Sequence, residues 1–251
     1  MNPFRGLFLK IDRVKDKYDE THNFTCDICG REVFSNERVC ASCNKDLPWN
    51  NAAVCPFCGR KVLEEGTCLE CKAEPLKVKK ARSVFTHEGE AMHLVLRFKK
   101  QGQKYLFRTL TDFLEPVLLR EFPPEAVLSF VPMTEKAEKA RGYNQSRLLC
   151  GELARRTGRE VLFVAKKTRE TPPQKTLGRK EREKNLEHCF HVFDRKGVRE
   201  KEIVLIDDTM TTGSTASALA DALKRAGAKE VYLLTVTSVQ YKYPFGLPDP
   251  K

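Results

Sequence analysis

Ile203-Val204-Leu205-Ile206-Asp207-Asp208-Thr209-Met210-Thr211-Thr212-Gly213-Ser214-Thr215 reads as a buried strand, two acids at its carboxyl end, a hydroxyl-rich turn and the start of a helix. Four consecutive apolar residues suit a parallel strand covered on both faces. Residues 216–226 have a helix's composition, and Gly227 supplies the stop. Between strand and helix, Thr211, Thr212, Gly213, Ser214 and Thr215 form a turn whose backbone N–H groups open onto a helix N-terminus. Such a turn is a phosphate seat, because unpaired amides and the positive end of the helix dipole face the anion together. Open α/β sheets place their ligands at the carboxyl edge of the strands, which is where Asp207 and Asp208 stand. A phosphate below and two carboxylates above fit a sugar phosphate, with hydroxyls or a hydrated Mg²⁺ to hold. An Asp-Asp helix cap alone has no need of Thr-Thr-Gly-Ser-Thr behind four apolar residues.

The stretch resembles the phosphoribosyl diphosphate (PRPP) signature of the type I phosphoribosyltransferases, an apolar strand followed by two acids and a Thr/Gly loop. The resemblance implies that Asp207 and Asp208 face the ribose hydroxyls and are the catalytic acids of any transfer. It also implies that Thr209, Thr211, Thr212, Gly213, Ser214 and Thr215 bind PRPP, with the residues from Thr211 onward around the 5′-phosphate and Mg²⁺ accompanying the ligand. At Thr209 the family more often has an aliphatic residue.

The second organising feature is cysteine. Eight of the ten cysteines fall into four Cys-x-x-Cys knuckles, Cys26/Cys29, Cys40/Cys43, Cys55/Cys58 and Cys68/Cys71. Two intervening residues let one turn present both sulfurs to a single tetrahedral ion. Four pairs make two four-cysteine sites for structural Zn²⁺, since four sulfurs leave no open position for chemistry. The simplest arrangement puts the first two knuckles on one ion and the last two on the other; an interleaved arrangement has the same spacing. Gly30 and Gly59 directly after their knuckles permit the tight turn. A segment this short builds too small a core of its own, so metal binding supplies its folding free energy. Cys150 and Cys189 have no partner at ligand spacing and read as buried apolar residues.

The expected organisation is an N-terminal extension at 1–23, a zinc-binding module at 24–75 and an α/β domain at 76–251. Strands and helices alternate at 126–131, 144–157, 161–164, 203–206, 214–226 and 230–237, the pattern of a parallel sheet flanked by helices. Ala81 opens an earlier strand, residues 91–99 a helix, and residues 105–122 an amphipathic helix with Leu106, Leu110, Phe113, Leu114, Val117 and Leu118 on one face. Trp49 is expected to pack the zinc module onto the sheet. No apolar run approaches the ~20 residues of a membrane span, and residues 1–8 are too short for a signal peptide. A cytosolic protein with reduced thiols is therefore expected.

Two more segments extend the resemblance. One is Val131-Pro132-Met133, followed after a charged linker by Arg141-Gly142-Tyr143-Asn144-Gln145-Ser146. The other runs from Gln174-Lys175-Thr176-Leu177-Gly178-Arg179 to Arg182 and Asn185. With the cysteine knuckles and the Lys99-Lys100-Gln101-Gly102 turn, they resemble the competence protein F (ComF) family of phosphoribosyltransferase-like proteins, over nearly the whole span from Cys26 to Val236. The resemblance implies a type I phosphoribosyltransferase-like fold behind a zinc-ribbon-like module, and a role in natural transformation, where single-stranded DNA is carried through the cytosol. It adds Lys99 and Lys100 to the PRPP site. It implies a flexible loop at 166–185 that closes over PRPP, with Gln174, Arg179 and Arg182 as its contacts.

From the residues themselves, Asn144 stands at a helix N-cap, worth ~1 kcal/mol. Arg141 stands before that helix near the carboxyl edge, where its planar fork suits a phosphate. Segment 135–185 holds 15 Lys/Arg against 7 Asp/Glu, within a chain of net charge +11. A basic rim of this kind attracts polyanions. Lys139, Arg141, Tyr143, Lys166, Lys167 and Lys180 are the nucleic-acid candidates, with Tyr143 and Phe98 offering stacking faces for unpaired bases. The partners expected are PRPP, single-stranded DNA and a competence helicase or other DNA-processing protein. Two alternatives stand beside this reading. One is an active phosphoribosyltransferase moving ribose 5-phosphate onto an amine or base. The other is a non-catalytic scaffold that senses PRPP.

Overall fold

The computed structural model describes residues 25–33, 37–51, 53–62, 64–169 and 189–240. The loop residues Gln174, Arg179, Lys180 and Arg182 and the tail at 241–251 lie outside them. By its internal contacts the chain divides into two units, 1–47 and 48–251.

Each unit contains one zinc ribbon, and both ribbons are built the same way. In the first, the Cys26 amide donates to the Arg31 carbonyl at 2.8 Å and Gly30 donates back to Cys26 at 2.8 Å. A bridge between Thr25 and Glu32 closes the knuckle, and α1 (Ala41–Asp46) starts directly after Cys40. In the second, Cys55 donates to Arg60 at 2.8 Å, Gly59 donates to Cys55 at 2.9 Å, and Val54 bridges Lys61. Here α2 (Leu69–Ala73) starts directly after Cys68. Each glycine has the positive φ that the turn demands, +72° at Gly30 and +66° at Gly59.

The larger unit is built on a four-stranded parallel sheet of β1 (Ala81–Thr86), β2 (Val127–Phe130), β5 (Glu202–Met210) and β6 (Glu230–Ser238), in the order β1-β6-β5-β2. Parallel pairing needs long crossovers. They are supplied by α3 (Gly89–Lys100), α4 (Leu106–Glu121), α5 (Glu135–Arg141), α6 (Gln145–Thr157), the hairpin β3 (Ala165–Lys167)/β4 (Phe190–Val192), the short α7 (Arg195–Val198) and α8 (Ser214–Arg225). Along β5 side chains alternate between the two faces. Ile203 and Leu205 enter a buried cluster with Leu219 and Leu223 of α8, and Cys55, Cys58 and Cys71 belong to that same cluster. On α4, Leu106, Leu110, Leu114 and Leu118 recur every fourth residue and are fully buried, where the helix packs on α6, β1 and β6. Burying each such leucine contributes about 1.5–3 kcal/mol. Trp49 packs on Phe85 of β1 at 4.8 Å and edge-on against Phe113 at 5.6 Å, as expected of it.

Two sequence expectations are corrected. The charged linker after Met133 is the helix α5, framed by Thr134, whose Oγ1 accepts from the Ala137 amide at 3.2 Å, and by Gly142 at φ +84°. It has no buried residue, so it carries no apolar period to read; its caps are its only signal. The strand at 161–164 shrinks to a single parallel bridge, Leu128 to Val161. The Val164 carbonyl is taken instead by the Phe193 amide at 3.0 Å, which starts the antiparallel hairpin β3/β4.

Candidate functional site

Register brings the chemistry to one edge. Asp207 of β5 lies beside Thr235 of β6, Thr209 beside Thr237, and Phe130 at the end of β2 beside Ile206. The acids therefore emerge at the carboxyl edge, flanked by strands on both sides. There they line a cleft of about 340 Å³ together with Lys99, Arg141, Lys167 and Thr215. All six are sequence candidates, Lys167 for nucleic acid, Arg141 for both PRPP and nucleic acid, and the others for PRPP.

The start of α8 holds the turn expected from sequence to seat a phosphate. Gly213 occupies the N-cap at φ +82° and has no side chain to cap the helix, whereas Asn144 caps α6 and Thr134 caps α5. Amides of a first helical turn have no intrahelical acceptor. In the turn, the Thr212 and Ser214 hydroxyls lie 2.8 Å apart and the Ser214 amide reaches Thr212 Oγ1 at 3.3 Å. Thr211 is exposed, and Thr212 and Thr215 are half-buried. The left-handed φ favours glycine at 213, and an added Cβ would stand 2.7 Å from the tip of the Leu76 side chain, which would have to shift.

The two acids are held differently. Asp208 pairs with Lys99 Nζ at 2.8 Å, and the same ammonium donates to Thr209 Oγ1 at 3.1 Å. Thr237 Oγ1 also donates to Thr209 Oγ1, at 3.2 Å, and meets His87 Nδ1 at 2.9 Å. Burial, then the positive charge of Lys99, lowers the His87 pKa. Asp207 accepts from Ser146 Oγ at 2.7 Å and from the Asp208 amide at 2.9 Å. Burial and the like charge of Asp208 nevertheless push its carboxyl up to about 7. One acid thus keeps a fixed cation while the other retains a proton near neutrality, which it would release to solvent when a cation or hydroxyl donors stabilise the carboxylate.

Ser146 and Gln145 also line the cleft, and sequence reasoning gave them no role there. A serine in the first turn of a helix capped by Asn144 was the available signal. Asn144 does more than cap: its Nδ2 donates to the Val131 carbonyl at 3.2 Å, fastening α6 to the end of β2. Tyr143 corrects an expectation. It is 5% exposed and packs on the fully buried Phe98 with ring centroids 5.8 Å apart. Its hydroxyl donates to the Phe98 carbonyl. Neither ring offers a stacking face. The pair instead joins the end of α3, which carries Lys99, to the start of α6, which carries Ser146. Of the other candidates, Lys100, Lys139 and Lys166 are exposed and lie outside the cleft lining. Arg141 donates to Gln145 Oε1 at 2.9 Å.

The cysteines resolve the pairing left open by spacing. Cys26, Cys29, Cys40 and Cys43 form one group and Cys55, Cys58, Cys68 and Cys71 the other, each with its sulfurs within 4.8 Å of one another. Sulfurs bound tetrahedrally at ~2.3 Å to one Zn²⁺ stand ~3.8 Å apart. Cys29 and Cys40 are 3.9 Å apart, and Cys58 and Cys68 3.6 Å. The donor sets fit two structural zinc ions. A hydrogen bond from Cys71 does most to pull the Cys58 thiol down to about 5, against the effect of burial.

Ribbon, sheet and acid pair together define a phosphoribosyltransferase-type α/β domain that follows a double zinc ribbon. A double zinc ribbon domain model matches residues 23–72 and a phosphoribosyl transferase domain model residues 144–243. Competence protein F of Haemophilus influenzae is 30% identical over 224 residues, 83% of this chain and 94% of the relative. Competence protein ComFC of Bacillus subtilis is 28% identical over 214 residues, 81% of this chain and 86% of the relative. DNA utilization protein YhgH of Escherichia coli K12 is 27% identical over 213 residues, 82% and 86%. The chain belongs to the competence protein F family. Among the described residues no helix is long and apolar enough to cross a membrane.

Proposed function

We propose that this protein binds PRPP with Mg²⁺ in the β5/α8 cleft and works on incoming single-stranded DNA in the cytosol. The observation that carries the ligand reading is the meeting, in one cleft, of Asp207, Asp208, Lys99 and Arg141 with Thr215 at the start of α8. The helix start and Arg141 complement phosphates. The acid pair accepts ribose hydroxyls, and Ser146 and Lys99 hold each carboxylate in place. Mg²⁺ would arrive on the diphosphate, because two carboxylates alone make an incomplete octahedral shell; it would neutralise the charge of a leaving diphosphate. Arg179 and Arg182 complete the ligand's cover in this reading.

The DNA side rests on the charge of +11, on the exposed Lys100, Lys139 and Lys166, and on relatives named for competence and DNA utilization. A DNA-processing protein such as a helicase is the partner this role calls for. Turnover is a separate matter from binding. Asp207 and Asp208 would steady the ribose side of a transfer, but no residue on the page identifies an acceptor.

Calorimetric titration with PRPP and Mg²⁺ tests the ligand. Saturable binding, weakened at least tenfold in Asp208→Asn by loss of a charged acceptor, is the expected result. Absence of heat with the wild-type protein ends the reading. Diphosphate release during incubation with candidate amines and bases would make it an enzyme. Filter binding of an unpaired oligonucleotide should show log affinity falling linearly with log salt; a flat response removes the phosphate contacts.

A further inference from the structure

The second zinc ribbon and the segment directly after it touch the Thr/Gly turn and the first turn of α8 at three points, and no functional reading of either part requires that. Arg60, two residues past Cys58, is 3% exposed although it carries a charge. Its Nε donates to the Val239 carbonyl at 3.1 Å and its Nη2 to the Thr211 carbonyl. The backbone of Arg60 is meanwhile fixed in the knuckle, where its carbonyl accepts from the Cys55 amide at 2.8 Å. The side chain of Leu76, just beyond the ribbon, occupies the space beside Gly213, where an added Cβ would stand 2.7 Å from it. The Lys77 amide donates to Ser217 Oγ at 3.2 Å, on the first turn of α8. The Thr211 carbonyl, the neighbourhood of Gly213 and the Ser217 hydroxyl are thus all held by the second ribbon and the segment directly after it.

We infer that the second four-cysteine ribbon is a working part of the phosphate seat, with Arg60 as the residue that positions the turn. This rests on the reading of that turn as a PRPP site. The peptide plane supplies the reason. A trans peptide points its C=O and N–H in opposite directions, so fastening the Thr211 carbonyl to Arg60 aims the Thr212 amide away from the ribbon. A guanidinium suits the task because its rigid fork spans two carbonyls at once, whereas an ammonium is a point charge on a flexible stem. Occupancy of the second metal site then governs the grip on the anion, since the knuckle that carries Arg60 depends on its ion for shape.

The test uses the full-length, zinc-loaded protein and compares wild type with Arg60→Lys, Arg60→Gln and Ser217→Ala. PRPP with Mg²⁺ is titrated calorimetrically, zinc per chain is counted, and hydrogen exchange is followed peptide by peptide. Both Arg60 variants should keep two zinc ions per chain, lose about tenfold in affinity for PRPP, and exchange faster at residues 212–215 than in β1 or β6. Arg60→Lys should recover less than a charge-only role predicts. Wild-type affinity in both Arg60 variants overturns the inference, as does an exchange gain spread evenly over the sheet. If the Arg60 variants do not fold, Ser217→Ala carries the decision: faster exchange at 212–215 with weaker binding supports the coupling, and no change in either refutes it. Should wild type ignore PRPP, selective exchange at 212–215 still shows that Arg60 positions the turn, while the ligand assignment alone fails.

Discussion

The two zinc ribbons share the Cys-x-x-Cys spacing within each knuckle, the knuckle hydrogen bonds and a helix after the third cysteine, yet they live in different surroundings. In the first, only Cys26 is buried; Cys29 is exposed, and Cys40 and Cys43 are half-buried. In the second, Cys55, Cys58 and Cys71 are buried in one apolar cluster with Ile203, Leu205 and Leu219. Its Gly59 is pressed against β1, where an added Cβ would stand 2.4 Å from the Ala81 carbonyl, while one at Gly30 would meet nothing within 4 Å among the described residues. The Phe57 carbonyl receives the Ala81 amide at 2.6 Å, and Asn50 Nδ2 joins the Gly59 and Ser83 carbonyls at 2.7 and 3.2 Å. The lesson is that one motif has been used twice for different ends. The first ribbon is a body stabilised by its own metal, and the second is a wall of the sheet domain that also happens to bind a metal.

The largest effect that can break this comparison is loss of a ligand. Cys58→Ser should abolish cooperative unfolding of the sheet domain, because it removes one of the ligands whose ion supplies on the order of 10 kcal/mol in isolated fingers and leaves a polar atom in an apolar cluster. Cys29→Ser should drop the zinc content to one per chain and leave the main thermal transition in place. Calorimetry with zinc counting reads both. Equal effects of the two substitutions would mean that the ribbons are not distinct in role.

Next come the paired glycines. Gly59→Ala meets both the left-handed φ and the Ala81 carbonyl, and should cost about 3 kcal/mol or more by chemical denaturation. Gly30→Ala meets only the φ and should cost about 1 kcal/mol. A pair of equal values would place the contact with β1 in doubt.

The smallest effect concerns pH and should belong to the sheet domain alone. Asp207 has a folded pKa of about 7 against an ordinary value of 3.8. Between those two values the folded chain keeps a proton that the unfolded chain has released. Stability from this group is therefore greatest below about pH 4 and falls as pH rises to about 7. Asp207→Asn should remove that slope and raise the stability of the unliganded protein at pH 8, while weakening PRPP binding. Denaturation at pH 5 and pH 8 checks it, and a wild-type stability that rises across this window contradicts the assignment.

How much of this was legible before the fold was known varies from residue to residue. Asp207, Asp208 and the turn announced themselves because they are contiguous, and contiguous residues need no tertiary contact to be read together. Asn144 was legible as a cap, though its bond to Val131 was not. Tyr143 was misread because an aromatic beside Arg141 looks the same in sequence whether it faces solvent or, as here, closes on Phe98. Helix α5 was missed because nothing on it is buried and hence nothing periodic marks it.

From sequence alone came the parallel sheet, the acid pair over a Thr/Gly turn and two four-cysteine sites, since each follows from local spacing and the periods of strand and helix. Only the folded chain decided which knuckles share an ion, that Ser146 and Lys99 hold opposite acids, and that Arg60 reaches the Thr/Gly turn. The Ser146, Lys99 and Arg60 contacts span 61, 109 and 151 residues of chain. Contacts of that range are set by how the layers pack, and no local pattern of residue types encodes them.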